Sequence, residues 1–589
     1  MPDWSYHGIF QPILSKLPDH ISREFIHRGM SLIASFPLGP HIINFLGREE
    51  CSLRLQKEIQ QIKFPNPIGL SGKIDPLLTG TKAFTNLGFG LIEIGPVSIN
   101  PSIESSHPTL NMQENRIDFP DLPESVGLEQ TIKKLSKIRK KQPLIIRLSG
   151  SEKDLPMLME TLHNFADGYI LDPSYLHLNL QTTKPLFITL KSTNHIINLD
   201  LEKISGIVLE DEASECLLES VRYYKKEFPS LSIITSGGVH EPEEALLLLS
   251  EGADLILLSD GYVFSGPGLP KRINEAMLDR INHSQAHQNG WLPYWLFGLF
   301  IFLGGLLALF FSLTWVILPY DEHYLGINRE LIVKFNERIL QFMAHDRMTL
   351  AGTMISGGIV YMNLAFHGVK RGLRWSKQAI DIGAISGFLG IFLSIGYGYF
   401  DWLHLLFWLV LFPFYLYGYI LTKGITGTPV SSNRKNHSIW LHSLYGQLAF
   451  VLLGFSFVLG GLVISYMGIT SVFVPTDLLY LCMPQELLNQ FNQNLIPVIA
   501  HDRAGFGSAL FSVGLLVLTL SLWGFQQGNS WVWWTLLIGG LPAFIAGVYI
   551  HFAIGYTTFI HLLPAYTAMG LFIYGLWRTY NFFHKEIDT

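Results

Sequence analysis

The stretch IITSGGVHEPEEALLLLSEGADLILLSDGYVF, Ile233–Phe264, decides the fold of the first half of this chain. It holds two short apolar runs. Each ends in a turn of small residues, Ser236-Gly237-Gly238 and Ser259-Asp260-Gly261. Between them lies a stretch that begins Glu241-Pro242-Glu243-Glu244 and continues with leucines, which is how a helix starts. Strand, helix, strand in this order is a parallel crossover unit. The same alternation recurs upstream in IGLSG, GLIEIGPV, PLIIRLSG, GYILD, PLFITLK and GIVLE. Eight such runs predict an α/β protein, a (β/α)8 barrel of the TIM type. The two glycine turns then close strands seven and eight, where barrels bind phosphate through uncovered backbone N–H groups. Ser236, Gly237, Gly238, Ser259, Asp260 and Gly261, with Ser71 and Gly72 after the first strand, are the candidate cofactor-binding residues. The alternative is a pair of closing turns whose glycines serve only the backbone.

The second half is different in kind. The chain has 589 residues, of which only 15% are charged, against roughly 25% in a soluble protein, and mean hydropathy is +0.30. Up to about residue 290 the mixture is ordinary; beyond it come runs such as YWLFGLFIFLGGLLALFFSLTWVIL, long enough to span a bilayer. Eight spans are expected, at about 294–318, 350–369, 379–400, 402–422, 439–467, 505–525, 531–555 and 557–579. No signal peptide is evident, so the barrel is expected in the cytoplasm of a multi-pass cell-membrane protein. Lys370, Arg371, Arg374, Lys377, Lys423, Arg434, Lys435, Arg578 and Lys585 then fall on the cytosolic side, as the positive-inside rule requires. The net charge of −6 argues against nucleic acid. Cys51, Cys216 and Cys482 have no metal-ligand or disulfide spacing.

The membrane half is internally duplicated. LPYDEHYLGINRELIVKFNERILQFMAHDR aligns without a gap to VPTDLLYLCMPQELLNQFNQNLIPVIAHDR, at a constant offset of 156 residues (475 − 319). Four helices per copy imply two parallel repeats. The copies share the tetrapeptide AHDR, which supplies His345, Asp346 and Arg347, then His501, Asp502 and Arg503. Leu331, Phe335, Ile339 and Phe342 suggest an amphipathic surface helix leading into the first motif. Each motif is then expected at the outer surface just before a spanning helix. Its Asp would cap that helix or join an interhelical ion pair, and its Arg would anchor in headgroups. An ion, proton or ligand site is the functional alternative. No metal site is assigned; His345 with His404, and His501 with His561, are the partners such a site would need.

One family is recognisable in the first half. Asn66-Pro67-Ile68-Gly69-Leu70, Gly88-Phe89-Gly90 and Glu93-Ile94-Gly95, with the distal glycine turns and GYVFSGPGLPKRI after them, resemble dihydroorotate dehydrogenase of class 2, the quinone-linked type. The segment YHGIFQPILSKLPDHISREFIHRGM resembles that family's membrane-touching helical extension. The resemblance implies FMN as a possible cofactor, dihydroorotate or a related small molecule as substrate, quinone as electron acceptor, and a role in pyrimidine biosynthesis. Departures accompany it. Pro76 stands at the family's substrate lysine, Pro96 at its flavin threonine, Arg147 at a strand asparagine and Thr189 at a flavin lysine, with Lys191 two residues on. Ser174 is a shifted candidate for the catalytic base. The departures imply the alternative of a catalytically degenerate barrel, serving as sensor or regulatory domain of a membrane transport or binding module. The expected domains are a helical extension at 1–50, the barrel at 51–282, a linker at 283–293, and membrane repeats at 294–436 and 437–589.

Overall fold

The computed structural model describes residues 2–50, 52–102, 108–111, 113–119, 124–178, 180–192, 204–281, 289–390, 399 and 401–584. They form two compact units, one of residues 1–282 with 430–444, the other of most of the remainder.

The first unit is a closed barrel. Its strands are β1 Ile68–Leu70, β2 Leu91–Val97, β3 Leu144–Leu148, β4 Gly168–Leu171, β5 Leu186–Lys191, β6 Gly206–Glu210, β7 Ser232–Ser236 and β8 Leu255–Leu258. They are all parallel and run round the barrel in chain order, with β8 closing on β1. All eight expected runs are strands. They are legible because a parallel strand is covered on both faces and reads as a continuous apolar run. The inner layer is Phe64, Leu91, Ile145, Ile170, Phe187, Val208, Ile234, Leu255 and Leu257, all almost wholly buried. After short helical turns over 3–14, two longer helices precede the barrel, α1 Asp19–Ser35 and α2 Gly39–Gly47, with a bend of 116° between them. Segment 430–444 belongs to this unit. Arg434 reaches Asp279 at 2.6 Å, and Asn436 accepts from Arg272 at 2.6 Å.

The second unit is helical: α3 Trp291–Thr314, α4 Pro319–Leu325, α5 Arg329–Asn363, α6 Arg374–Gly390, α7 Trp402–Leu421, α8 Ser438–Ile469, α9 Pro475–Leu481, α10 Gln485–Phe491, α11 Leu495–Trp523, α12 Ser530–Ile554 and α13 Phe559–His584. Among the described residues, seven helices are long and apolar enough to cross a membrane. Of the expected span 379–400, residues 391–398 and 400 lie outside the described residues.

The duplication has counterparts throughout this unit. Asp321 accepts the Leu318 N–H at 2.9 Å and Asp477 the Val474 N–H at 2.8 Å, each closing the first turn of a seven-residue helix. Asn336 and Asn492 are both extended (φ −164° and −157°) and interrupt their helices. Each uses its amide to cap the opposite copy, Asn336 on Leu481 O at 2.9 Å and Asn492 on Leu325 O at 2.8 Å. Phe335 stacks on Phe491, its own counterpart, with centroids 3.9 Å apart.

The motif helices differ from expectation. Both AHDR motifs lie inside helices long and apolar enough to cross a membrane, α5 and α11, so these helices start earlier than the uncharged runs do. The arginines do not anchor in headgroups, and the aspartates cap nothing. Arg347 donates to Asp502 at 2.7 Å and to Asp321 at 2.9 Å; Arg503 reaches Asp346 at 3.3 Å and Asp477 at 2.5 Å. Each also donates to the carbonyl of a valine at positive φ, Val316 or Val472. The amphipathic stripe is likewise split at Asn336: Ile339 and Phe342 are buried, Leu331 and Phe335 exposed.

Removing one cation strands two buried carboxylates. Arg503→Leu is expected to cost about 3–5 kcal/mol, read as thermal unfolding of the protein in detergent. The same loss should shrink when Asp346→Leu is added; an Arg503→Leu protein as stable as wild type would refute the assignment.

Candidate functional site

The ligand end of a barrel is the C-terminal mouth of its strands. Here that mouth contains a cavity of about 470 Å³, bordered by Lys73, Lys191, Glu124, Glu210, Glu212 and Asp260 among others. Its floor is an ion-pair network. Arg147, on β3, donates through Nε to Glu93 on β2, through Nη1 to Thr189 on β5 at 2.9 Å, and through Nη2 to Glu210 on β6 at 2.6 Å. Lys73, just after β1, bonds the other Glu210 oxygen at 2.8 Å. One guanidinium thus ties strands from opposite sides of the barrel, with Nε and both terminal nitrogens engaged. Burial alone would raise the Glu210 carboxyl, but Arg147 and Lys73 outweigh it and hold it down at about 2.

The sequence-predicted residues fall round this mouth. Ser71 Oγ and the Gly72 N–H both donate to Glu93, at 3.2 and 3.0 Å. Ser236 ends β7, and Ser259 and Gly261 flank the start of a short helix. Asp260 accepts the Ile117 N–H at 3.2 Å. Gly237 and Gly238 sit at φ +91° and +60°. A Cβ on Gly237 would strike the Asp211 carbonyl at 2.2 Å, and one on Gly238 the Ala213 backbone at 3.0 Å. These glycines are therefore required by close chain approach. Ser174 is exposed and donates its hydroxyl at 2.7 Å to Asp172, which caps the turn. Its hydroxyl partner is a carboxylate already taken by the Ser174 N–H.

The mouth is acidic where a phosphate ester would need donors. A phosphate ester would meet Asp260, Asp211 and Glu212, and a flavin ring would meet an arginine with three nitrogens already engaged. Sequence reasoning named Arg147 and Thr189 only as departures; their pairing with Glu210 needed the barrel's register.

A second cavity, of about 210 Å³, lies between the N-terminal helices and the barrel. Leu14, Ile26, Met30, Ile74, Ile117 and Phe119 line it. The bent pair α1–α2 leaves Phe25, Leu32, Ile33, Phe36, Leu38 and Ile42 exposed, an apolar surface of the sort that touches lipid.

The AHDR histidines are placed differently from the expected pairing. His501 lies beside His404 (centroids 4.7 Å), and His345 beside His551 and His561 (4.4 and 5.8 Å). The pairing is crossed because each motif helix packs against the other copy's later helices. His551 was not singled out; its equivalent position in the first copy is not a histidine.

A closed parallel barrel with an N-terminal helical pair over its ligand end defines the class of the first unit. That unit is homologous to quinone-dependent dihydroorotate dehydrogenase. The chain is 24% identical to the dihydroorotate dehydrogenase (quinone) of Christiangramia forsetii over 296 residues, covering 38% of this chain and 85% of that protein. It is 26% identical to that of Kineococcus radiotolerans over 347 residues, covering 46% and 93%. A crystal structure of DHODH from Eimeria tenella, with ferulenol, aligns at 16% identity and a TM-score of 0.34, over 42% of this chain and 92% of that one. No family model matches the chain.

Because Glu210 is held below the ordinary carboxylate value near 4.5, its ionised form stabilises the barrel above that pH. The contribution disappears as pH falls from about 4.5 towards 2. Glu210→Gln is expected to cost about 3 kcal/mol at neutral pH and to flatten the acid limb of a stability–pH curve. An unchanged acid limb would refute the network's importance.

Proposed function

We propose that this is a multi-pass membrane protein whose barrel, on the cytoplasmic side, has lost dihydroorotate chemistry and serves as a sensor domain for an apolar, quinone-like ligand. The Arg147 network carries this reading. A flavin-dependent dehydrogenase needs an open face for its ring and a base within hydrogen-bond reach of the departing proton. Here the polar atoms around Arg147 bond one another, and the Ser174 hydroxyl is exposed and held on Asp172 at the surface. The largely apolar cavity between α1 and the barrel is intact by contrast, and its lining suits a quinone head with an isoprenoid tail. The duplicated helical unit would carry the output, as a transport or binding module.

Homology favours a second reading: an FMN-dependent enzyme passing electrons to quinone. One preparation separates the two. Full-length protein purified in detergent is expected to be colourless, to release no FMN on denaturation, and to show no dihydroorotate-dependent quinone reduction. It should nonetheless be protected against thermal unfolding by a short-chain ubiquinone, and Ile117→Trp, which fills the cavity, should remove that protection. Stoichiometric FMN with dihydroorotate turnover would establish the enzyme instead; no quinone protection in wild type would end the sensor reading.

A further inference from the structure

We infer that the helical unit binds two divalent first-row transition-metal ions, one at His345, His551 and His561 and one at Asp401, His404 and His501. In each trio the potential ligand atoms all lie within 4.8 Å of one another. Both trios use one AHDR histidine and one histidine at the start of the other copy's last helix, His345 with His561 and His501 with His404. They differ in the third member, a histidine in one and a carboxylate in the other.

The hydrogen bonds of the first trio require something between its rings. His345 Nδ1 lies 2.9 Å from Asp346 Oδ1, and His551 Nδ1 lies 2.5 Å from the Gly547 carbonyl. Both partners are acceptors, so they assign the proton of each neutral ring to Nδ1. That leaves two bare Nε2 lone pairs facing each other at 3.0 Å. Lone pairs at this distance repel unless a proton or a cation joins them. Two imidazoles on one ion, each about 2.0–2.1 Å from it, stand roughly 3.0–3.4 Å apart in octahedral or tetrahedral geometry. The separation fits. So do the outer contacts: metal-binding histidines regularly give their second N–H to a carboxylate or a backbone carbonyl.

The second trio supplies the complementary sign. His501 is buried, and both its ring nitrogens lack a hydrogen-bond partner, an arrangement costly in a protein interior without a ligand. His404 faces it, with Nδ1 held at 2.7 Å by Asp401, which also accepts from Tyr320 and the Leu403 N–H; His404 Nε2 and the His501 ring are therefore the ligand atoms, and Asp401 orients His404 from the outer shell. All three residues line an apolar cavity of about 450 Å³, with Leu307, Phe311, Leu350, Met354 and Phe407. Imidazole-rich sets select ions such as Zn²⁺, Co²⁺ or Fe²⁺ over Mg²⁺ and Ca²⁺, which prefer all-oxygen shells.

Tag-free full-length protein in detergent, stripped with EDTA and dialysed, is to be titrated with Co²⁺ and then Zn²⁺. Expected are two equivalents of Co²⁺ with visible ligand-field bands, displaced by Zn²⁺. His345→Ala and His501→Ala should each remove one equivalent, and the double variant both. His561→Gln and His404→Gln repeat the test away from the buried ion pairs, with thermal unfolding and gel-filtration elution as folding controls. Wild-type protein that binds neither ion overturns the inference, as do two equivalents retained in the folded double variant. One equivalent, lost only with His345→Ala and His561→Gln, overturns the Asp401 site.

Discussion

The helical unit depends on two buried ion pairs that cross between its copies, Arg347 with Asp502 and Arg503 with Asp346. Burying an ion is expensive, and its partner must repay the cost through good geometry and additional hydrogen bonds. Here the repayment is shared. Each guanidinium takes a second carboxylate, Asp321 or Asp477, that its own copy holds ready at a helix start. Tyr399 and Tyr556 donate to the same two carboxylates. Neither copy could satisfy its charges alone, because the aspartate of each motif is paired with the arginine of the other copy. The duplication is therefore fixed by electrostatics as well as by packing.

The barrel is organised by the same device. Arg147 replaces a neutral strand residue in the resemblance to dihydroorotate dehydrogenase, and Glu210 gives it a partner across the interior. A guanidinium at the centre of a barrel mouth is tolerable only where its donors are engaged, and once engaged they are not available to a cofactor. The fold is that of the relatives, and the mouth is bordered by five carboxylates and two lysines.

What could be read from the sequence follows from whether the information is local. The eight strands were legible because each is an apolar run closed by its own glycine or polar turn. The starts of α5 and α11 were not, since a search for uncharged runs begins a helix after its charges. Those helices extend through His345-Asp346-Arg347 and His501-Asp502-Arg503 because the charges are neutralised by residues 155 and 157 positions away (502 − 347, 503 − 346). The histidine pairing was misjudged for the same reason. An alignment of the copies shows which residues are equivalent; it does not show that the helices exchange partners. At the barrel mouth, Ser236, Gly237, Ser259 and Asp260 border one cavity because topology ends β7 and β8 there, whereas the Arg147 network depends on register and side-chain reach.

The charge balance connects the crossed pairs to the histidines. Around them stand four carboxylates, Asp321, Asp346, Asp477 and Asp502, against two guanidiniums. In an apolar helical unit an excess of negative charge needs protons or cations nearby. Asp346 is itself the acceptor for the His345 ring, so a divalent ion on that ring would be felt directly by the Arg503–Asp346 pair. His501 precedes Asp502 but makes no hydrogen bond to it, so an ion there would act on the Arg347–Asp502 pair through its charge alone. Metal occupancy and the cross-copy ion pairs are then coupled through adjacent residues of one tetrapeptide, which gives a physical reason for histidine, aspartate and arginine to stand side by side in both copies.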